Sequence, residues 1–561
     1  MERILRIFRK EYVNLNQAAL LLGLFAFFSQ ILGLFRDRAF AHFIGPSASL
    51  DAYYAAFRVP DFIFISIASL ASITVLIPFI VSRMENGNVT KEAKKFLNDI
   101  FTVFFVVMIF VSVLAFALMP YLVDIITPGF SSEMQIKVID LSRIMLLSPI
   151  LMGLSNLFGT VTQLFRKFFI YSLSPILYNL GIIVGAIFLY PVFGIYGLAF
   201  GVILGAFMHF GVQVFASSSC GFSPRFSFDI NFSDIKKAVF TSFPRTLGLA
   251  FNSLALIAII ALASYLKSGS ISVFNLSFNL QSVPLNIIGV SYAVAVFPTL
   301  VKSYNDRKFE EFRNSLKSAG RAIVFWSLPV VFLFIVLRAQ IVRVVLGSGS
   351  FSWENTRLVA ASLAVFSISI LAQAMTTLLS RAYYATGNTK RPLTVNLFSS
   401  VMIIVLAYIF MYIFENFEMF RYFIESLFKV TDIPGTEILM LPLAYSVGTI
   451  LNFILQWYFV RRDFMEKEPF IMKTFFQSLG ASFFIGGVSY LSLNALASAF
   501  DINTFWGIFF QGFISGILGI IAGVTVLYLL KNEELKDLFL TLKSKFSGSK
   551  VVSIPEVELS K

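Results

Sequence analysis

Long apolar stretches recur along the whole chain, and they constrain the fold more strongly than any other feature of the sequence. The first is AALLLGLFAFF at residues 18–28, and similar stretches follow with only short polar loops between them. Of the 561 residues, 57% are hydrophobic and 13% are charged, whereas soluble domains carry about a quarter charged residues. Because a helix needs about 20 apolar residues to cross a bilayer, the sequence predicts an all-α polytopic membrane protein.

On this length criterion the sequence predicts 14 transmembrane helices. The even number places both chain ends on the same side of the membrane. The predicted helices cover residues 17–44, 50–81, 96–127, 139–165, 168–191, 193–219, 236–265, 271–301, 319–347, 356–385, 392–413, 438–460, 471–499 and 504–530.

The distribution of Lys and Arg over the loops indicates the orientation, since these residues collect on the cytosolic side. The loops predicted inside, such as 82–95 and 302–321, are rich in basic residues, whereas the outside loop at 415–437 has more acidic than basic ones. Residues 1–16 combine basic and apolar positions and lack a small-residue cleavage site, which predicts a cytosolic amphipathic N-terminus rather than a cleaved signal. The amphipathic tail at 532–561 is likewise expected in the cytosol.

An internal repeat is visible in the apolar segments. The motif P-x-x-x-N occurs at Pro175 and Asn179 and again, 217 residues later, at Pro392 and Asn396. The segments IPFIVSR and FPTLVKS repeat at a similar offset of 220 residues. Two matches at nearly one offset indicate pseudo-symmetric six-helix halves, and parallel halves suit a transporter with a central cavity. The predicted parts are an N-terminal lobe at 17–220, a C-terminal lobe at 236–461 and two C-terminal helices at 470–531.

Ionisable residues cluster in the first two predicted spans, where they are costly and usually face a protein interior or a wet cavity. Arg36 and Asp37 follow the first apolar run, and Asp51 and Arg58 are seven residues apart, hence on one helical face. Pro60 predicts a kink. One interpretation is a cationic pocket for an anionic group, because the arginine fork pairs bidentately with phosphate. The other is a set of ion pairs at the level of the lipid headgroups.

The second lobe offers further polar residues. Arg245 follows Pro244 about two turns into the seventh span, where it either adds a cation to a shared cavity or marks an interfacial position on a tilted helix. Asn275, Asn279 and Gln281 of the eighth span either line the same cavity or bridge helices. The sequence leaves both interpretations open.

Several kinds of chemistry have no support in the sequence. There is neither a G-x-x-x-x-G-K-[ST] nor an H-E-x-x-H motif, so nothing points to an ATP-driven motor or a zinc protease. Two histidines and one cysteine do not suffice for a conventional transition-metal site. No loop is long enough for a separate catalytic domain. We therefore expect no catalytic residues, no metal, no cofactor and no enzymatic activity.

Several motifs resemble the signature of the MurJ (MviN) lipid II flippases. SQILGLFRDRAFAHFIG followed by SLDAYYAAFRVPDF is similar to the opening of that family, and the likeness continues through TPGF, FPRTLGLAFNS and VPLNIIGVSYAVAVFPTL. The family belongs to the multidrug/oligosaccharidyl-lipid/polysaccharide exporter superfamily, whose members have two six-helix lobes and alternate access. The resemblance implies transport of lipid II, an undecaprenyl-pyrophosphate-linked peptidoglycan precursor, from the inner to the outer leaflet of the bacterial cytoplasmic (inner) membrane for cell-wall synthesis.

The resemblance also implies roles for individual residues. Arg36 and Asp37 match the R-D of the family pattern, Asp51 matches its acidic residue, and Arg58 matches the basic residue before Pro60. These four residues are the expected positions for cavity electrostatics and substrate binding.

Three positions depart from the family pattern, which has arginine where this chain has Gln30, Phe64 and Asn279. Gln30 and Asn279, with Arg245 as a partial substitute, complete the predicted substrate-binding set. The departures leave another polyprenyl-pyrophosphate-linked saccharide open as the cargo, and a cation-coupled drug exporter is the alternative within the superfamily. The membrane potential or a monovalent cation gradient is the expected driving force.

Overall fold

The structure, a computed structural model, describes residues 15–68, 76, 79–80, 82–85, 88–220, 222, 224–465 and 471–546. The secondary structure of these ranges is helical apart from one antiparallel pair of two-residue strands, β1 (Met84–Glu85) and β2 (Asn88–Val89). The helices that begin before residue 270 are α1 (Leu15–Phe43), α2 (Ala48–Ala56), α3 (Arg58–Ile63), α4 (Lys91–Ile126), α5 (Ser132–Met145), α6 (Leu147–Leu164), α7 (Phe168–Val184), α8 (Tyr190–Phe193), α9 (Ile195–Ser219) and α10 (Phe232–Ala263).

The remaining helices follow in the same order along the chain. They are α11 (Ser270–Pro284), α12 (Ser291–Asn305), α13 (Phe309–Val336), α14 (Arg338–Leu346), α15 (Trp353–Ser367), α16 (Ile370–Ala385), α17 (Lys390–Asn416), α18 (Glu418–Phe428), α19 (Met440–Phe464), α20 (Met472–Ala495), α21 (Phe505–Leu529) and α22 (Glu533–Phe546). Short π-helical segments occur at Phe64–Ala68, Gly185–Leu189 and Leu285–Val290, and a 3-10 turn at Thr436–Leu439.

Ten of the described helical segments are long and apolar enough to cross a membrane, or eleven if the pair α15 and α16, bent by 44°, forms one span. The predicted all-α membrane fold is confirmed, and the count of 14 stays a prediction. Three predicted spans account for the difference between 14 and eleven. The helix α1 ends with several charged residues, the span at 50–81 is broken and lies partly outside the described residues, and α20 is rich in serine and glycine. The prediction for 1–16 falls almost wholly outside the described residues.

Packing divides the chain into two compact units. This division by contacts follows different boundaries from the sequence repeat and does not test it, so the predicted lobes at 17–220 and 236–461 stay a prediction. The first unit comprises residues 1–283, 345–366 and 388–452, and the second comprises residues 284–344, 367–387 and 453–561.

Glycines allow α7, together with the π-helical segment Gly185–Leu189 that continues it, to approach α9 of the first unit backbone to backbone. A Cβ atom on Gly181 would lie 2.2 Å from the backbone nitrogen of Gly205, and one on Gly201 would lie 2.5 Å from the Cα of Gly185. No larger residue fits at these distances without a shift of the backbone. Small residues at four-residue spacing are a common means of close helix packing in membranes, and here they fix where the other side chains of α7 lie.

We expect Gly201→Ala to destabilise the first unit by about 1–3 kcal/mol, the usual cost of overpacking a well-packed interface. Gly211→Ala on the same helix is the matched control. A Cβ atom at position 211 would meet nothing within 4 Å apart from its chain neighbours and the nearby backbone of its own helix. The control should be neutral or slightly stabilising, since alanine favours helix over glycine by about 1 kcal/mol. Thermal unfolding of the purified protein in detergent measures both, and equal midpoints would contradict the described α7–α9 contact.

The start of the tail helix α22 is docked within the second unit. The Lys473 ammonium lies 2.7 Å from the carboxylate of Glu533, and the Arg321 guanidinium lies 3.4 Å from the same group. The hydroxyl of Thr474 donates a hydrogen bond of 2.8 Å to Glu534. The hydrogen bond and charge of Lys473 lower the pKa of the Glu533 carboxyl. These contacts tie α22 to the first turn of α20 and to α13.

Candidate substrate-binding cavity

The second predicted span is broken by a turn, and the break brings two charged side chains to one place. A turn at Phe57 separates α2 from α3. Pro60 lies in the first turn of α3, where the missing N–H group is tolerated, so the break coincides with the kink predicted from the sequence. Arg58 and Asp61, one helical turn apart, line the same cavity.

This cavity has a volume of about 380 Å³ and lies within the first unit. Charged, hydroxyl and amide side chains share its lining with apolar ones, which is unusual within a membrane protein and makes the cavity the candidate functional site. The polar lining residues are Arg36, Tyr53, Tyr54, Arg58, Asp61, Ser148, Tyr178, Asn275 and Asn279.

Arg36 is held in a fixed orientation at the cavity wall. Its Nε and Nη2 atoms donate to Asp37 Oδ1 at 3.0 and 2.9 Å, and its Nη1 atom donates to Asn179 Oδ1 at 3.3 Å. The side chain of Asp37 is 2% exposed and that of Arg36 is 24% exposed. Asp37, which is not part of the described lining, therefore orients Arg36 and offsets part of its charge, while Arg36 itself lines the cavity.

Arg58 and Tyr54 keep hydrogen-bonding capacity for a ligand. Arg58 Nη2 donates to Asn275 Oδ1 at 2.5 Å. Its buried Nε atom and the buried hydroxyl of Tyr54 have no hydrogen-bond partner among the described residues. Unsatisfied buried polar groups are costly, and both belong to residues that line the cavity. An anionic group bound there would supply the missing acceptors.

Asp51 lies away from this lining and caps a helix. Its carboxylate accepts hydrogen bonds from the backbone nitrogens of Gly269 and Ser272 at 2.6 and 2.7 Å, and from the Ser272 hydroxyl at 2.6 Å. Asp51 is 2% exposed. A carboxylate at the first turn of α11 satisfies N–H groups that the helix leaves free, and it complements the helix dipole. Asp51 thus ties α2 to α11.

The other predicted binding residues occupy different places. Asn279 lines the cavity, as does Phe64, whereas the half-buried Gln30 does not belong to its described lining. Arg245 falls within α10, but its side chain lies outside the described part of the structure. A role in substrate binding for the full predicted set stays a prediction.

Sequence reasoning did not place several residues that the fold brings to the cavity. Tyr178 comes from α7 and lines the cavity, and its neighbour Asn179 reaches Arg36. The repeated P-x-x-x-N motif singled out Asn179, but nothing in one sequence indicates that it contacts an arginine 143 residues away. Among the described residues no cluster of His, Cys, Asp and Glu is arranged to hold a metal ion.

Comparison with known proteins decides the family. The family profile described as "Lipid II flippase MurJ" matches residues 40–420, which is more than half of the chain. This chain belongs to the MurJ family. A "Lipid II flippase MurJ" of Burkholderia cenocepacia is 23% identical over 485 residues, covering 85% of this chain and 90% of the relative. A "Probable lipid II flippase MurJ" of Thermotoga maritima is 26% identical over 453 residues, covering 76% and 90%.

Solved structures show the same fold. A structure titled "Lipid II flippase MurJ, inward closed conformation" matches with a TM-score of 0.71 at 23% identity, covering 93% of this chain and all of that one. An inward-facing multidrug resistance MATE transporter of the MOP superfamily matches with a TM-score of 0.61 at 17% identity, covering 77% of this chain and 94% of the transporter. This MurJ-family chain is therefore a multi-pass membrane protein with the fold of these transporters.

Proposed function

We propose that this MurJ-family chain moves lipid II from the inner to the outer leaflet of the bacterial cytoplasmic membrane by alternating access. The undecaprenyl-pyrophosphate group would enter the cavity from one side, and the saccharide and peptide would follow into the aqueous space of the transporter. The lipid chain would stay in the membrane. We further propose that both termini lie in the cytosol, which the basic loops support.

The observation that carries the proposal is that Arg36 and Arg58 line the same cavity. Hydrogen-bond donors of Arg58 and Tyr54 in this lining have no partner among the described residues. Arg36 is pre-oriented by Asp37, and Arg58 keeps a buried Nε atom without a partner among the described residues. A pyrophosphate offers several anionic oxygens, and guanidinium groups bind such oxygens with a geometry that lysine cannot match. The Tyr54 hydroxyl, which likewise has no hydrogen-bond partner in the described part of the chain, supplies a further donor.

The transport cycle would draw on the membrane potential or on a monovalent cation gradient. A charge moved across a potential of 100 mV gains about 2.3 kcal/mol, so a charged cavity that changes its access from one side to the other responds to the potential. The carboxylate of Asp61 shares the lining with Arg36 and Arg58, and Asp37 pairs with Arg36. Charge alone therefore does not exclude organic cations, and a cation-coupled drug exporter stays the alternative within the superfamily.

Two residues of the cavity lining support a second candidate cargo. Phe64 and Asn279 stand at cavity positions where the family pattern has arginine, and both line the cavity. A neutral wall at these positions would suit another polyprenyl-pyrophosphate-linked saccharide, whose sugars interact with amides and aromatic rings rather than with further cations.

Depletion of the protein in its native cells separates the two cargoes. If lipid II is the cargo, lipid II accumulates on depletion, wall synthesis stops and cells lose their shape, and re-expression reverses all three effects. Accumulation of a different polyprenyl-linked saccharide, with unchanged lipid II, would favour the second cargo. Unchanged levels of every polyprenyl-linked saccharide would contradict a role as their transporter.

A further inference from the structure

The helix α18 is attached directly to the end of a membrane-spanning helix. The helix α17 is long and apolar enough to cross a membrane and ends at Asn416, and α18 begins two residues later at Glu418. Along α17, Val401, Val405, Tyr408 and Tyr412 are 40–64% exposed. Their spacing of three or four residues places them on one face, which in a membrane protein is the face toward lipid.

The surface of α18 is divided into three stripes. Phe420, Ile424 and Phe428, spaced four residues apart, are the less exposed positions that pack against the protein. Met419, Phe423 and Leu427, each one residue earlier, are 56–87% exposed. The charged residues Glu418, Arg421 and Glu425 occupy the third stripe, since consecutive helix residues are about 100° apart. One helix thus presents separate surfaces suited to protein, to an apolar medium and to water.

Hydrogen bonds within the first unit hold the chain that follows α18 in place. Arg357 donates from Nη1 and Nη2 to the two carboxylate oxygens of Asp432 at 2.8 and 2.6 Å, and it also bonds the backbone oxygen of Lys429. The Thr436 hydroxyl donates to Glu425 at 2.7 Å. The exposed apolar stripe is therefore held in one direction and does not rotate freely into a protein core.

We propose that α18 lies flat in the membrane interface, with Met419, Phe423 and Leu427 among the lipid chains of the leaflet in which α17 ends. The occupant of the exposed stripe is phospholipid, because the stripe continues the lipid-facing side of α17 through the exposed Phe417. Amphipathic helices with large aromatic and aliphatic side chains on one face bind this layer, and tyrosines such as Tyr422 prefer the headgroup level. The helix then sets the depth of α17 in the bilayer.

Site-directed spin labelling in lipid nanodiscs tests this inference in the full chain. Phe423→Cys and Arg421→Cys are introduced separately in a Cys220→Ser background, which removes the sole native cysteine. The two labels lie two residues apart on different stripes of the same helix. Collision rates with oxygen, which concentrates in lipid, and with a neutral nickel chelate, which stays in water, are then compared.

The inference predicts that the label at Phe423 collides with oxygen several times more often, relative to the nickel chelate, than the label at Arg421 does. Met419→Cys and Leu427→Cys should behave like Phe423→Cys. Equal nickel accessibility at the two positions would place the stripe in water. Low accessibility to both reagents at all three apolar positions would place it against another protein or a second copy. Either result would overturn the inference.

Discussion

Replacing Arg58 with alanine is expected to weaken binding of an undecaprenyl-pyrophosphate-linked saccharide by about ten- to a hundredfold. The change removes a charged donor from the cavity wall and leaves Asn275 without its 2.5 Å partner. Hydrogen bonds to charged groups contribute about 1.5–3 kcal/mol, and each 1.4 kcal/mol is a factor of ten in affinity. Arg58→Lys should fall between wild type and alanine, because it keeps the charge but loses the planar fork. Native mass spectrometry of detergent-purified protein measures the affinities.

Arg143→Ala is the matched control for this experiment. Arg143 belongs to the same unit and lies over the ring of Phe116 at 4.6 Å, but it is not part of the described cavity lining. Its replacement should leave the affinity unchanged. If Arg58→Ala bound the ligand as tightly as Arg143→Ala, the cavity would not be the binding site for the pyrophosphate.

Replacing Asp51 with alanine is expected to cause the largest loss of stability among single changes near the cavity, about 2–5 kcal/mol. The carboxylate accepts three hydrogen bonds in a site where it is 2% exposed. Its removal leaves the N–H groups of Gly269 and Ser272 without that acceptor, and each buried unsatisfied donor costs about 1–3 kcal/mol. Asp51→Asn should cost less, since the amide oxygen still accepts. Thermal unfolding in detergent gives the order of the three proteins.

Glu133→Ala serves as the control for the Asp51 series. Glu133 is an exposed carboxylate paired with Lys137 four residues away, and exposed pairs of this kind contribute little to stability. Its removal should leave the unfolding midpoint unchanged. A midpoint for Asp51→Ala equal to that of Glu133→Ala would show that the contact between α2 and α11 is not important for the fold.

The hydrophobic pattern was sufficient to predict an all-α membrane fold, because a bilayer requires apolar segments of defined length. It was insufficient where helices break. The segment 50–81 reads as one apolar span, yet the turn at Phe57 and the π-helical segment Phe64–Ala68 divide it. Proline at position 60 indicated a distortion, but its form depends on the neighbouring helices that fill the gap.

The candidate site was predictable where charge stood out against an apolar background. Arg36, Asp37 and Arg58 were visible in this way, since charged residues within spans are rare. Their partners were not visible, because Asn179 and Asn275 reach them only through tertiary packing. The sequence grouped Asp51 with Arg58 on one helical face. The turn between α2 and α3 breaks that face, so Asp51 caps α11 while Arg58 lines the cavity.

The repeated P-x-x-x-N motif shows how one local pattern acquires different partners. In the first copy Asn179 accepts a hydrogen bond from Arg36 at 3.3 Å. In the second copy Asn396 accepts one from the amide of Asn452 at 3.0 Å. The repeated motif therefore singled out an asparagine on each of two helices, but only the packing around each of them determines whether the asparagine contacts a cavity arginine or bridges helices.

Leaflet accessibility of labelled lipid II in proteoliposomes tests the central claim most directly. The lipid is placed in one leaflet, and an impermeant reagent or enzyme reports its appearance in the other. We expect rapid exchange with the wild-type chain, exchange close to the protein-free rate with the Arg36→Ala/Arg58→Ala double variant, and wild-type exchange with Arg143→Ala. A wild-type rate no higher than that of protein-free liposomes, with correctly folded and inserted protein, would contradict the assignment of lipid II as the cargo.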